Sequence, residues 1–428
     1  MKIRRYLILV IIILITTSQS FISYGLERFE EITIFHTNDI HGRYAEGDDH
    51  IQIGNLATLK KETPNSILVD AGDCLHGLPI VNMDRGKSAI ELIKCAGYDY
   101  ITPGNHDFNY GKDRLFELSK SANLGENTLK FLSSNIFENG KKVFDSNDIK
   151  EIDGIKIGFF GLSTQETKSK TGFKNVEGLE FKNPIESATE QVNELKGKGA
   201  NVIVAICHIG TNSLSKPNSI DIANEVQGID LIIDGHSHTK FENGKQVGDT
   251  LIVSAGQYLE NIGEIKLTLD TNDVENIKIE NKSVRLIGKE EALKYKLDSA
   301  VSKKVDEIKE QQEKILDKVI GVTTNTLDGS YENVRTKETN LGNLISDILL
   351  DKTKADISLF NGGNIRDTIE KGNITRRDIV DVFPFSNTIV TKELTGAQIK
   401  DVLEHGVKLY PEKSSAFLQV GGISYYFN

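Results

Sequence analysis

The sequence predicts a layered α/β domain followed by a second, smaller α/β unit, and three observations lead there. Short apolar runs alternate with amphipathic stretches from Ile32 to about Leu286. Polar, glycine-rich turns carrying Asp and His follow several of those runs. A segment of helical periodicity then separates this pattern from a fresh set of strand and helix signals beginning near Ile320. A chain of 428 residues is long for one domain and suits two.

Residues 1–25 read as a secretory signal peptide. Lys2, Arg4 and Arg5 form a basic start, Leu7 to Ile15 is unbroken and apolar, and small or polar residues follow. The apolar run is too short to span a bilayer, so the chain is expected outside the cytoplasm with no stable membrane span after cleavage.

The first domain is assigned to residues 30–288. Glu31 to Phe35, Ser66 to Val69, Ile155 to Phe160, Val202 to Ile206 and Leu231 to Ile233 read as buried strands. Ser88 to Ala96, Arg114 to Ser121 and Pro184 to Lys196 read as helices between them. Leu293, Leu297, Val301, Val305, Ile308, Ile315 and Val319 recur at spacings of three, four or seven, so residues 289–319 are predicted to form one connecting amphipathic helix. Residues 320–428 form the second unit, with signals at Leu341 to Leu350, Ile357 to Phe360, Ile389 to Leu394 and Gln398 to Leu409. Gly422 to Phe427 reads as a last strand.

Cys74, Cys95 and Cys207 cannot all pair and show no C-x-x-C spacing, which excludes a disulfide framework and a thiolate metal site. The formal charge of −11 becomes about −14 without Lys2, Arg4 and Arg5, and no basic patch offsets it. A nucleic-acid polymer is therefore excluded as partner. A small anionic substrate is held where metal ions reverse the local field.

Five clusters share one chemistry: Asp39-Ile40-His41-Gly42, Gly72-Asp73, Gly104-Asn105-His106-Asp107, His208 and Gly235-His236-Ser237-His238. Five of the nine histidines fall in them, at the ends of successive strands where one fold gathers its loops. A lone His is as often a structural residue as a ligand; the recurrence at strand ends is what argues for a metal site. Oxygen and imidazole donors without thiolate suit Zn, Mn, Fe, Co or Ni.

In that order, Thr37-Asn-Asp-Ile-His-Gly, Gly-Asp, Gly-Asn-His-Asp and Gly-His-Ser-His resemble the calcineurin-like metallophosphoesterases, and more narrowly the bacterial 5′-nucleotidase and UDP-sugar hydrolase group. Leu341-Gly-Asn-Leu, Asn361-Gly-Gly-Asn-Ile-Arg366, Gly372-Asn-Ile-Thr and Phe383-Pro-Phe-Ser-Asn387 resemble that group's C-terminal domain. The resemblance runs from Ile32 to the end. It implies a β-sandwich flanked by helices, two divalent ions, and in-line attack of a metal-bound hydroxide on nucleoside 5′-monophosphates. UDP-sugars and 2′,3′-cyclic nucleotides are the alternative substrates, and a non-catalytic surface binding protein is the non-enzymatic one.

By the same resemblance, Asp39, His41, Asp73 and His238 hold one ion, and Asp73, Asn105, His208 and His236 hold the other. His106 is the catalytic histidine, with Asp107 beside it. Arg335, Asn361, Arg366 and Phe385 contact the substrate, the arginines at phosphate and Phe385 at the base. Two departures stand out. Several relatives carry Asp three residues after the catalytic histidine, where this chain has Asn109. The Gly-Gly-Asp motif that supplies a second aromatic face and a ribose contact in the group does not occur before Asn428, so the second domain is expected to be incomplete.

Overall fold

The computed structural model describes residues 29–428, apart from 46, 48–49, 126, 213–215, 274–275 and 385–386. The signal-peptide assignment and Phe385 lie outside the described residues.

Two six-stranded sheets face each other. The first runs in the order Lys278–Gly288, Asn261–Asp270, Phe29–Thr37, Ser66–Asp70, Tyr100–Ile101, Lys130–Phe131. The second runs Lys245–Val247, Thr250–Val253, Leu231–Asp234, Val202–His208, Ile155–Ser163, Asn147–Ile152. The central strands of each are parallel, which needs crossover connections and puts helices on the outer faces.

Side-chain alternation explains the layering. Ile32, Ile34, Ile67 and Val69 of the first sheet meet Val202, Val204, Ile206, Leu231 and Ile233 of the second in a core between the sheets. The residues between them face outward: Phe35 and Leu68 pack under Ile53–Glu62 and Lys87–Ala96, while Ile203, Ala205 and Cys207 pack under Pro184–Gly197. These strands are apolar on both faces because both faces are covered.

Residues 289–319 depart from the prediction of one helix. The segment forms a short helix at Lys289–Ala292, breaks, and restarts at Ser299–Leu316. Asp298 causes the restart by accepting hydrogen bonds from the Ala300 and Val301 N–H groups as N-cap. Val301, Val305 and Ile308 are buried in the first domain's outer core, against the helices that carry Leu56 and Leu92.

The C-terminal part packs the helix Asn340–Thr353 with two two-stranded sheets, Val319–Thr323 with Gly372–Thr375 and Ser358–Asn361 with Leu418–Gly421. Val334, Leu341, Ile345, Ile365, Ile369 and Val382 form its core. Two predicted strands are absent. Residues 389–394 are exposed and unpaired among the described residues, and the last strand ends at Gly421, before the predicted Gly422 to Phe427. Apolar sequence makes a strand only where another strand completes its ladder.

Candidate metal centre and substrate cavity

The carboxyl ends of Phe29–Thr37, Ser66–Asp70, Tyr100–Ile101, Val202–His208 and Leu231–Asp234 open onto one region, and the seven predicted ligands lie there, His208 as the last residue of its strand and the other six in the loops. Asp39, His41, Asp73, His236 and His238 all adopt positive φ, between 50° and 73°. Such conformations cost non-glycine residues of order 1–3 kcal/mol each and persist only where surrounding structure enforces them. Gly104 is required for a different reason: a Cβ there would lie 2.2 Å from the Asp73 carboxylate.

The donor atoms form two adjoining groups. In the first, His238 Nε2 lies 3.3 Å from Asp39 Oδ1 and 3.4 Å from His41 Nε2, which lies 3.9 Å from Asp39 Oδ1 and 4.0 Å from Asp73 Oδ2. In the second, His208 Nε2 lies 3.2 Å from Asp73 Oδ2 and 3.3 Å from Asn105 Oδ1, and Asn105 Oδ1 lies 2.8 Å from His236 Nδ1. Donors about 2.0–2.2 Å from a divalent ion stand roughly 3.0–3.5 Å apart along the edges of its coordination polyhedron. The spacings of 3.2 to 3.4 Å match those edges, and the two from His41 to Asp39 and Asp73 are wider. Asp73 Oδ2 stands between the groups, 3.2 Å from His208 Nε2 in the second and 4.0 Å from His41 Nε2 in the first, and Asp39 lies within reach of Asp73 and His208 as well as of His41 and His238.

Further contacts fix how the donors face. His208 Nδ1 donates to the Ala71 carbonyl oxygen at 2.7 Å, which leaves Nε2 for the centre. His236 Nε2 donates to Glu166 Oε2 at 2.9 Å, which leaves Nδ1. Asn38 donates to Asp39 Oδ2 and to the Gly256 carbonyl oxygen. Burial works against ionisation of Asp73, yet the charge and hydrogen bond of His208 hold its carboxyl well below the usual range. Against the same burial, Asp73 pushes His208 up to about 10. A buried carboxylate ringed by imidazoles is a centre built for cations.

His106 stands beside the first group, its ring 5.3 Å from that of His41 in an edge contact, while its backbone N–H donates to Asp73 Oδ1. Asp107 does not face the centre. Its buried carboxylate accepts the N–H groups of Asp73, Leu75 and Gly104 at 2.8–3.0 Å, and so pins the two loops that carry Asp73 and Asn105. Burial first, then the Asp73 charge, push it up to about 7. Asp107, expected beside His106 in the chemistry, has its carboxylate committed to the backbone.

Residues 32–240 match the calcineurin-like phosphoesterase family and residues 319–428 the 5′-nucleotidase C-terminal domain. The chain is 32% identical over 437 residues to the trifunctional nucleotide phosphoesterase protein YfkN of Bacillus subtilis, covering 93% of this chain and 29% of that protein. It is 28% identical to a 5′-nucleotidase of Vibrio vulnificus, covering 92% of this chain and 78% of the relative. The crystal structure of a 5′-nucleotidase precursor from Thermus thermophilus superposes with a TM-score of 0.65 at 28% identity, over 92% of this chain and 81% of that one. The chain belongs to the 5′-nucleotidase family of metallophosphoesterases.

Residues of the second domain line one cavity with the donor groups of the first. A cavity of about 720 Å³ is lined by His41, His106 and His238 on one side and by Arg366, Asn387 and Thr388 on the other. Of the predicted substrate residues, Arg366 reaches this cavity. Arg335 does not: it is buried, with its guanidinium 4.0 Å over the Tyr331 ring, and it is not among the described residues lining the cavity. Asn361, exposed at the end of Ser358–Asn361, is not among them either.

Sequence reasoning missed several residues at this site. His76 lines the cavity, with its ring stacked 6.0 Å from that of His106. Burial, then the neighbouring imidazoles, bring its pKa down to about 4, so it is neutral at physiological pH. Tyr258, at φ 60°, packs its ring 5.7 Å from that of His41 with Arg43 stacked over it at 4.4 Å. Lys170 borders both the cavity and the second donor group. The Asp73-Cys-Leu-His76 spacing was a usable signal for His76; Glu166, Lys170 and Tyr258 sit in no motif that would have marked them.

Proposed function

We propose that this chain is an exported phosphohydrolase that uses two divalent ions to release phosphate from nucleoside 5′-monophosphates. The observation that carries the reading is the pair of donor groups with Asp73 Oδ2 between them, opening onto a cavity with Arg366 on its opposite wall. Export rests on the basic and apolar start of the sequence. Among the described residues no helix is long and apolar enough to cross a membrane.

Asp39, His41, Asp73 and His238 would hold one ion, and Asp73, Asn105, His208 and His236 the other. When bound, such ions polarise the phosphoryl oxygens and make a water nucleophilic at neutral pH. The protein's own groups do the rest. His106 presents its imidazole to the phosphoryl group beside the ions. Arg366 offers a planar fork of donors to phosphate or ribose oxygens arriving across the cavity. The walls of both domains hold the ester in line and keep bulk water off the reacting bond.

The names of the relatives support a nucleotide substrate without choosing among the alternatives, since one is a trifunctional nucleotide phosphoesterase and another a 5′-nucleotidase. A panel of 5′-AMP, a UDP-sugar, a 2′,3′-cyclic nucleotide and bis-p-nitrophenyl phosphate, each with Mn, Zn or Co, decides the substrate. Fastest release of phosphate from 5′-AMP is expected. Preference for a diester would overturn the monoester assignment.

A further inference from the structure

One amide serves two imidazoles. Asn109 Nδ2 lies 3.0 Å from His106 Nδ1 and 3.3 Å from His76 Nδ1. The two rings are 13° from parallel, and both line the cavity.

Donor counting fixes which way the Asn109 amide faces. Asn175 lies 3.2 Å from the Asn109 carbonyl oxygen, which can only accept, so Asn175 presents Nδ2 there. The same Nδ2 donates to Thr171 Oγ1 at 3.1 Å, and the Thr171 hydroxyl donates to Asn109 Oδ1 at 2.9 Å. Turning the Asn109 amide over would take from the hydroxyl of buried Thr171 the oxygen it donates to and leave it facing two NH₂ groups, those of Asn109 and Asn175. Asn109 therefore keeps its NH₂ toward the rings. An NH₂ can meet a ring nitrogen only when that nitrogen accepts, so each Nδ1 is without hydrogen and each neutral ring carries its proton on Nε2.

We propose that Asn109, held by Thr171 and Asn175, is a positioning residue that locks His106 and His76 as Nε2–H tautomers. His106 then serves as a neutral hydrogen-bond donor to the phosphoryl oxygens and not as the acid that protonates the leaving group. The proposal rests on the phosphohydrolase reading above. A neutral imidazole that lost its Nε2 proton would become a strongly basic imidazolate, so the proton comes from elsewhere. Hydroxide forms the new bond to phosphorus, the bond to the ester oxygen breaks, and the departing alkoxide takes a proton from water, returning hydroxide. The consequence is a substrate preference: esters with acidic leaving groups, such as phenols, gain over alkyl esters such as nucleotides.

The tautomers can be read directly in the full chain labelled with ¹⁵N-histidine, using long-range ¹H–¹⁵N correlations assigned through His76→Gln and His106→Gln. Unprotonated Nδ1 and protonated Nε2 are expected on both rings, with a shift toward Nδ1–H in Thr171→Val but not in Thr171→Ser. Protonated Nδ1 in the unaltered protein would overturn the lock. In the Mn-loaded enzyme, Asn109→Asp should raise kcat on 5′-AMP relative to kcat on p-nitrophenyl phosphate by on the order of tenfold or more, because an acid is restored. An unchanged ratio overturns the proposal. If the unaltered enzyme hydrolyses neither ester, the phosphohydrolase reading fails instead, and the tautomer spectrum still decides the lock.

Discussion

Glu166 Oε2 lies 2.9 Å from His236 Nε2, on the far side of the imidazole from Asn105 Oδ1, which His236 Nδ1 meets at 2.8 Å. A carboxylate so placed selects the tautomer and orients the ring for a metal, and loss of such a partner typically costs 10–100-fold in affinity. Glu166→Ala should therefore weaken one of two metal-binding steps by about that factor in a calorimetric titration, with the other step unaffected. Two steps of unaltered affinity would show that Glu166 merely neighbours the site.

Asp107 leads to a prediction about stability. Its carboxylate accepts three backbone N–H groups. The amide of Asp107→Asn must turn its own N–H toward one of them, leaving a buried donor unsatisfied. A loss of about 1–3 kcal/mol is expected in urea unfolding of the metal-free protein. A variant as stable as the parent but catalytically dead would return Asp107 to the chemistry.

His36 predicts a weakness in acid. It is fully buried between the sheets, neither ring nitrogen has a partner among the described residues, and burial lowers its pKa to about 3. The ring occupies the space left by Gly263 on the paired strand, where a Cβ would lie 1.9 Å from Nε2. The folded protein keeps His36 neutral, whereas the unfolded chain takes up a proton below about pH 6.5. Stability from this residue is complete above that pH and is lost as pH falls toward 3. At pH 5 the loss is about 2 kcal/mol. His36→Phe should lose that much less than the parent between pH 7.5 and pH 5 in urea unfolding; parallel losses would refute the assignment.

The two arginines expected to contact substrate separate cleanly. Arg366→Ala should raise KM for 5′-AMP about tenfold with little change in unfolding midpoint, since Arg366 lines the cavity. Arg335→Ala should lower the midpoint, because it removes buried contacts with Tyr331. Kinetics and thermal melts of both variants check this; a KM effect in Arg335→Ala with an unchanged melt would restore its substrate role.

What the sequence made legible follows from locality. Ile32, Ile34, Ile67, Val69, Val204 and Ile206 announce buried strands because their neighbours are apolar as well, and ligands at the ends of those strands are marked by position. Glu166, Lys170 and Tyr258 reach the centre from segments whose local pattern says nothing of their destination. The direction of the Asp107 carboxylate was equally hidden, because it is set by the N–H groups of Asp73 and Leu75, more than thirty residues earlier in the chain. The break before Ser299 was legible in Asp298, an N-cap residue inside an otherwise periodic run. The exposed Ile389 and Val390 show the opposite failure, where strand-like sequence has no strand to pair with among the described residues.

The central claim is that Asp73 joins two metal sites into one phosphohydrolase centre. The most direct measurement is metal content and phosphate release from 5′-AMP, made side by side on the purified chain and on Asp73→Asn after reconstitution with Mn. The account predicts two ions per chain with turnover in the parent, and loss of at least one ion with a fall in kcat of at least about a hundredfold in the variant. Full turnover by Asp73→Asn, or a parent that is active with a single ion, would contradict it.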